Sequence, residues 1–329
     1  RSITYVHDHY MSRIRLEALA EIAGLTPSAY SRKFKKQTGL TPVEYLNGYR
    51  MNQAKQMLMS KQRSIKEIAA SIGMESEFYF SRMFKRATGL SPTLYKKRTD
   101  IRIACASAFR FHETLSSLGI EPVFFANCNR NKTMSREEHQ VKLNHYMLMM
   151  KQAQPELILC DHYNTPYIEQ LRQIAPTVTF ALSMDWQVVF RQIAEVVNRE
   201  EEAQRCIRVL DQKLHQARQS LHERFGNESV SMVRIIDKLI RVQGMSGHPL
   251  NDLIYGELGL VPGYCVPRTM MSIEFSIDKY PDLGTDHLFI QNQFFYPEDK
   301  DVFHQLQTTP RWNSLKAVSS NCMHYTSNW

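Results

Sequence analysis

The strongest constraint on this chain is a stretch that occurs twice. Ser31-Arg32-Lys33-Phe34 and the following Thr38-Gly39-Leu40-Thr41-Pro42 return fifty places later as Ser81-Arg82-Met83-Phe84 and Thr88-Gly89-Leu90-Ser91-Pro92. Tyr45 returns as Tyr95, and upstream Leu16, Leu19, Ala20 and Gly24 return as Ile65, Ile68, Ala69 and Gly73. Two copies are too few for a solenoid and describe a pair of related modules.

Each copy reads as helix, sharp turn, helix. Leu16, Leu19, Ile22 and Ala23 share one helical face, and Gly24 stands where a helix C-cap needs positive φ. Thr26-Pro27 is a hydroxyl N-cap with proline at the first helical position. In the second helix Tyr30 and Phe34 point inward at a spacing of four, and Arg32, Lys33, Lys35 and Lys36 point mostly outward. The second copy repeats the phase with Phe80 and Phe84 inside and Arg82, Lys85 and Arg86 outside. Between the copies, Thr41-Pro42-Val43-Glu44 is a capping box that opens a helix reaching about Ser60, and Ser64-Ile65-Lys66-Glu67 is another. A connector of about eighteen residues is roughly 27 Å long. Recognition helices reading successive major-groove segments lie roughly 34 Å apart, a span this connector can set.

The charge agrees with that geometry. Residues 1–98 carry 18 Lys and Arg against 7 Asp and Glu, whereas the chain as a whole is +8, so the remainder is slightly acidic. A basic excess confined to one segment is the footprint of a nucleic-acid binder. On these residues, 1–98 resembles the two-module, all-α DNA-binding domain of AraC-type transcriptional regulators. Carried over by position, the resemblance implies that Ser28, Ala29, Ser31, Arg32, Lys33 and Lys36 of the first recognition helix face DNA. In the second, it implies Ser76, Glu77, Tyr79, Ser81, Arg82 and Arg86.

The six cysteines are far apart with no C-x-x-C pair, and those at 105 and 160 sit in apolar runs, as small core residues do. They favour a reducing compartment. No apolar run approaches the length of a membrane span, no signal peptide is present, and both ends read as cut.

Lys96-Lys97-Arg98-Thr99-Asp100 reads as a polar hinge, after which the pattern changes. Strand-like runs at 101–106, 121–126, 155–160 and 177–181 alternate with helices, which implies a parallel sheet covered on both faces. Residues 186–225 read as helical apart from a break near Asn198–Glu200. Strands at 230–236, 239–242 and 286–291 then form a second α/β unit, with a helix from Pro249 to Leu258. The expected organisation is a DNA-binding domain at 1–98 and a two-lobed α/β domain at 99–329. The lobes fall at 99–185 and 227–329, with a connecting helix at 186–226.

Two α/β lobes joined by a long helix resemble the iron-siderophore and cobalamin class of periplasmic-type substrate-binding proteins. The resemblance rests on Glu113–Pro122, Gln154–Leu159, Ile174–Val178, Asp185-Trp186, Ile273–Asp282, Asp286–Ile290, Trp312–Val318 and Trp329. The family continues with a final helix after Trp329. Such proteins are normally secreted or anchored; behind a DNA-binding module the domain is expected in the cytoplasm. The combination resembles siderophore-responsive AraC-type activators of Gram-positive bacteria. It implies double-stranded DNA and a ferric siderophore as partners, RNA polymerase contact, a possible homodimer, no membrane and no covalently bound cofactor.

Ligands of open α/β lobes lie beyond the carboxyl ends of the strands. Those loops contain Arg110, Arg130, Lys132, His162 and Tyr163, followed by Gln243 through His248, with Arg234 on a strand and Arg268 in a loop of the second lobe. The resemblance implies that Arg234 and Arg268 are two of the cations that hold an anionic iron complex, with Arg130 or Lys132 from the first lobe. Ile236 and His162 stand where further cations are expected. Catalytic patterns are missing: Gly244-Met245-Ser246-Gly247-His248 lacks the G-x-S-x-G elbow, and there is no Walker loop, H-E-x-x-H or G-x-G-x-x-G. The chain is read as a regulator and not an enzyme. Two alternatives stand beside it: an α/β part used for dimerisation or polymerase contact, and a hydrolase acting on a bound siderophore.

Overall fold

A computed structural model describes residues 1–59, 63–99, 101–130, 134–236, 238–291 and 297–326. Lys132, Asp100 and Trp329 lie outside the described residues.

The repeated segment is built as its caps dictate. Helices Leu16–Ile22 and Pro27–Thr38 form the first module, Pro42–Met59 connects, and Ile65–Ser71 and Glu77–Thr88 form the second, followed by Pro92–Lys97. The Thr26 side chain accepts a hydrogen bond from Ala29 N and that of Ser76 from Tyr79 N. Both connector capping boxes are made, Glu44 with Thr41 and Glu67 with Ser64. Gly39 and Gly89 close the two recognition helices at φ 78° and 77°, a backbone region that side chains disfavour. The cores are duplicated as well: Phe34 meets Tyr45 edge-on at 5.5 Å, and Phe84 meets Tyr95 edge-on at 5.1 Å.

The first sheet contains β1 (Ile103–Ala106), β2 (Phe124–Ala126), β3 (Leu157–Asp161) and β4 (Thr177–Phe180). Its order is β2-β1-β3-β4, all parallel. β1 and β3 are buried throughout, as central parallel strands must be. Helices Phe111–Ser117, Arg136–Gln152 and Ile168–Ile174 flank it, and Leu143, Met150 and Leu171 join Ile158 and Cys160 in its core. Cys105, Cys128 and Cys160 are buried, and burial pushes their thiols up to about 12.

The second sheet is mixed. Its strands are β5 (Ser229–Ile236), β6 (Leu239–Gln243), β7 (Val261–Pro262), β8 (Ser272–Ser276), β9 (His287–Gln291) and β10 (Met323–Thr326). The order is β10-β9-β5-β6-β8, with β7 beside the start of β5. β5, β9 and β10 are parallel, whereas β6 and β8 run against β5 and β6 in turn. Trp312 is buried in its core with Phe303, ring to ring at 5.8 Å. Strands β7, β8 and β10 are short and carry no clear alternation, so periodicity does not announce them; β10 forms an edge of the sheet. The helix expected from Pro249 to Leu258 is α-helical only to Asn251 and continues as a wider π-type turn over Asp252–Glu257.

By packing, the chain divides into two compact units. One holds residues 1–182 and 189–203, the other 183–188 and 204–329. The expected break near Asn198 is present: helix Trp186–Val197 ends, Asn198 takes φ 58°, and helix Glu200–Phe225 follows. The repeated helical segment therefore packs in the same unit as the first sheet. Lys96–Arg98, expected to be part of a polar hinge, is packed instead, and Asp100 lies outside the described residues. Lys96 and Lys97 complete the helix Pro92–Lys97, and Arg98, at 3% exposure, is buried. Charge and polarity suggested a solvated linker, but the guanidinium finds enough partners to be buried. No helix among the described residues is long and apolar enough to cross a membrane.

Candidate DNA-binding face and ligand-binding loops

The recognition helices expose a coherent face. Arg32, Lys33 and Lys36 are exposed on Pro27–Thr38, together with Ser28, while Ala29 and Ser31 are half-buried. On Glu77–Thr88, Glu77, Tyr79, Arg82 and Arg86 are exposed and Ser81 is half-buried. Ser76 is the N-cap, so its hydroxyl is committed to Tyr79 N at 3.2 Å. The Arg82 guanidinium stands 5.6 Å from the Tyr79 ring centroid. The modules are not identical in this pattern: Lys33 is solvated where its repeat partner Met83 is half-buried, and Ala29 is half-buried where Tyr79 is exposed.

The loops beyond the first sheet are organised by one carboxylate. Asp161, buried at the end of β3, accepts hydrogen bonds on Oδ2 from Ser107 Oγ (3.0 Å), Ala108 N (2.5 Å) and Phe109 N (3.2 Å). Its Oδ1 accepts from Asn164 N (3.0 Å) and Asn164 Nδ2 (2.8 Å). Asn164 in turn accepts from Cys128 N (2.7 Å) and reaches Asn127 Oδ1 at 3.3 Å. The segments after β1, β2 and β3 are thus tied together at their strand ends. Five donors converging on one buried carboxylate compensate its desolvation.

On this platform Phe109 and Tyr163 lie with ring centroids 5.5 Å apart, 50% and 44% exposed, and His162 meets Tyr163 edge-on. Arg110, at φ 54°, pairs with Glu113, and Arg130 donates to Met134 O at 3.2 Å; both are exposed. His162 and Tyr163 belong to a short 3-10 turn, His162–Tyr167, which Asp161 caps. Phe109 is a member that the sequence reading missed. A lone aromatic after a strand carries no signal until the fold sets it beside Tyr163.

In the second unit, strand register decides what meets. Gln291, Arg234, Arg241 and Glu274 occupy one row across β9, β5, β6 and β8. Arg241 donates to Glu274 Oε1 from Nε (2.8 Å) and Nη2 (2.5 Å). Burial lowers the pKa of the half-buried Arg234, and neighbouring Arg241 lowers it further, against a smaller opposing effect of Asp299. Arg234 and Arg241 thus stand side by side in this row, Arg241 paired with Glu274 and Arg234 acted on by the Asp299 carboxylate. Arg268 is exposed in the loop before β8. That loop lies by the segment after β6, with Gly244 N donating to Met271 O at 2.8 Å and Met245 N to Pro267 O at 2.9 Å. Gly244 approaches so closely that a Cβ there would fall 1.9 Å from Met270 O. Because β6 runs against β5, both loops adjoin the amino end of β5. Arg268 thus belongs to the loop that precedes β8, outside the paired row of Arg234.

Two family models match this chain: Helix-turn-helix domain, of AraC type, over residues 19–98, and Periplasmic binding protein over residues 110–326. The second covers most of the sequence. The chain belongs to the periplasmic binding protein family. Among curated relatives it is 25% identical over 339 residues to the HTH-type transcriptional activator Btr of Bacillus subtilis, covering 98% of this chain and 63% of that protein. The chain thus spans less than two thirds of the length of that relative. Among solved structures it resembles a periplasmic binding protein component of a Fep/Fec-like ferrichrome transporter from Bacillus subtilis, at 20% identity and TM-score 0.57 over 70% of this chain and 86% of that one. It also resembles FhuD2 from Staphylococcus aureus with bound ferrioxamine B, at 16% identity and TM-score 0.52 over 70% and 90%. At these identities the likeness is one of fold. As a periplasmic binding protein fold behind an AraC-type helix-turn-helix, the chain joins two architectures, and the α/β part begins within a few residues of Arg98.

Proposed function

We propose that this chain is a DNA-binding transcriptional regulator, an activator of iron-siderophore uptake genes, that senses an anionic ferric siderophore through its α/β part in the cytoplasm. The observation that carries this reading is the packing of an AraC-type helix-turn-helix pair and a parallel strand-end platform into one unit. A change at the platform then has a direct mechanical route to the DNA-binding helices. The names of the relatives support it: one is a transcriptional activator, and another, 22% identical over 179 residues, is an iron-uptake system-binding protein of Bacillus subtilis.

The proposed ligand residues are Arg110, Arg130, His162 and Tyr163 with Phe109 in the first α/β part, and Arg234 and Arg268 in the second, with Lys132 added from outside the described residues. Aromatic rings cover the apolar flanks of a chelate, and the guanidinium groups offset its negative charge. A ligand shifts the regulator only by binding its two states unequally, so contacts that do not change between states give occupancy without response. RNA polymerase contact and a homodimer belong to the same proposal.

The test is a tryptophan-fluorescence titration with ferric siderophores, with metal-free siderophores and unrelated iron chelates as controls, repeated on the double variant Arg234→Ala, Arg268→Ala. Saturable binding by wild type, lost in the double variant while DNA affinity persists, is the expected result. A double variant that responds to ligand with an unchanged midpoint would place the sensor elsewhere.

A further inference from the structure

The second recognition helix carries an aromatic side chain that the fold does not use. Phe78 is 81% exposed, at the second position of the helix Glu77–Thr88. The core of that module is made by Phe80 and Phe84, both fully buried. The internal repeat shows what the fold requires at this position: offset by fifty, Phe78 corresponds to Ser28, which is also exposed. A serine therefore suffices to build the module, and a phenylalanine at its first turn leaves a large apolar surface in water.

Its neighbours say what covers that surface. Arg82 lies four residues on, on the same helical face, with Tyr79, Lys85 and Arg86 exposed further along the helix and the carboxylates of Glu75 and Glu77 exposed at its start. The three cations outnumber the two carboxylates, a balance that favours a polyanion over an apolar protein groove. The first turn of a recognition helix is the part that reaches base edges in the major groove. There the apolar group on offer is the 5-methyl of thymine.

We propose that Phe78 is a base-reading residue that recognises a thymine through apolar contact with its 5-methyl group. The proposal rests on the DNA-binding reading of residues 1–98. It also makes the two modules unequal: the first reads with small and cationic side chains, the second with an aromatic ring and its adjacent arginine.

The experiment uses the full 329-residue chain. Preferred duplexes are selected from a random pool at low salt, and each thymine of the best one is replaced in turn by deoxyuridine, which lacks the methyl. Wild type is expected to lose about fourfold in affinity at one such position, the worth of burying one methyl group. Phe78→Ala is expected to lose a similar factor on the thymine duplex and nothing more on the deoxyuridine duplex, so the two changes are not additive. Phe78→Leu, which stays apolar, is expected to keep part of the preference. Methyl-independent binding by wild type, additive losses, or unchanged affinity of Phe78→Ala would each overturn the proposal. Failure of wild type to bind any duplex would instead remove the DNA-binding reading itself, an outcome seen before any variant is made.

Discussion

The guanidinium of Arg98 donates to the backbone carbonyl of Glu195 at 2.6 Å. That carbonyl lies in the last turn of the helix Trp186–Val197, where its backbone bond, from Asn198 N, is long (3.4 Å) and a cation is favoured. Arg98 also donates to Asn198 Oδ1 at 2.8 Å, approaches Glu200 at 3.5 Å, and lies 3.7 Å over the ring of Tyr95. Lys55 of the connecting helix pairs with the Glu195 carboxylate, and Gly89 abuts Val178 of β4. The end of the DNA-binding segment is thereby fastened to the flank of the first sheet.

Arg98→Ala should destabilise this unit by roughly 2–4 kcal/mol, because it removes a buried charged donor from a half-buried carbonyl and amide and leaves a cavity over Tyr95. Arg98→Lys should fall between, since an ammonium cannot reproduce the planar fork. Chemical denaturation measures the loss. Hydrogen exchange should show it concentrated in residues 92–99 and 186–199. A uniform change, or none, would contradict the fastening role.

Asp161→Ala should cost roughly 3 kcal/mol or more, since five donors lose one buried acceptor. It should also weaken binding of the proposed ligand by releasing Phe109 and Tyr163 from their fixed positions. Asp161→Asn should do both less severely, because one oxygen still accepts. Thermal unfolding and the fluorescence titration report the two effects separately.

Arg32→Ala and Arg82→Ala should each weaken operator binding by about 1–3 kcal/mol if the side chain reads a base. If it holds a phosphate, the loss should be roughly uniform across sequences, with a shallower salt slope. Both side chains are exposed, so folding should be unaffected. Titrations of labelled duplex at several salt concentrations decide between the two roles.

A hydrogen bond from Lys316, with two from Ser229 (N and Oγ, both 2.7 Å), holds the Asp286 carboxyl well below the usual carboxylate range. A depressed folded-state pKa stabilises the fold above the unfolded value, about 3.9, and that contribution disappears as pH falls through the lower folded value. Asp286→Asn should therefore be less stable than wild type at pH 7, with the gap narrowing below about pH 4. Urea midpoints between pH 7 and pH 2.5 measure it. A gap that does not change with pH would mean that the charge is not what stabilises this corner.

Much of the recognition face was legible without coordinates. Its phase is set by local spacing: Phe34 and Phe84 must point inward, so Arg32 and Arg82 must not, and Thr41 and Ser64 announce the helices they cap. Phe78 was present in the same pattern but lost in it, because exposure of an aromatic cannot be read from periodicity. The strand-end loops were legible as places, since strands and helices alternate. Their contents were not ranked, because nothing local distinguishes Asp161, which ties three loops, from His162 beside it.

By itself the amino-acid order determined the two helix-turn-helix modules, their caps, the parallel first sheet and the break at Asn198. All of these rest on interactions within a few residues or on the period of apolar side chains. Only the tertiary structure decided that Arg98 is buried and not a linker residue, and that Phe109 meets Tyr163. It also decided that Arg234 stands beside Arg241 and Gln291. The reason is common to all three. Each depends on partners far away in the sequence, and on a strand direction that reverses between β5 and β6. Pairing and register are cooperative properties of the assembled sheet, not of any local stretch.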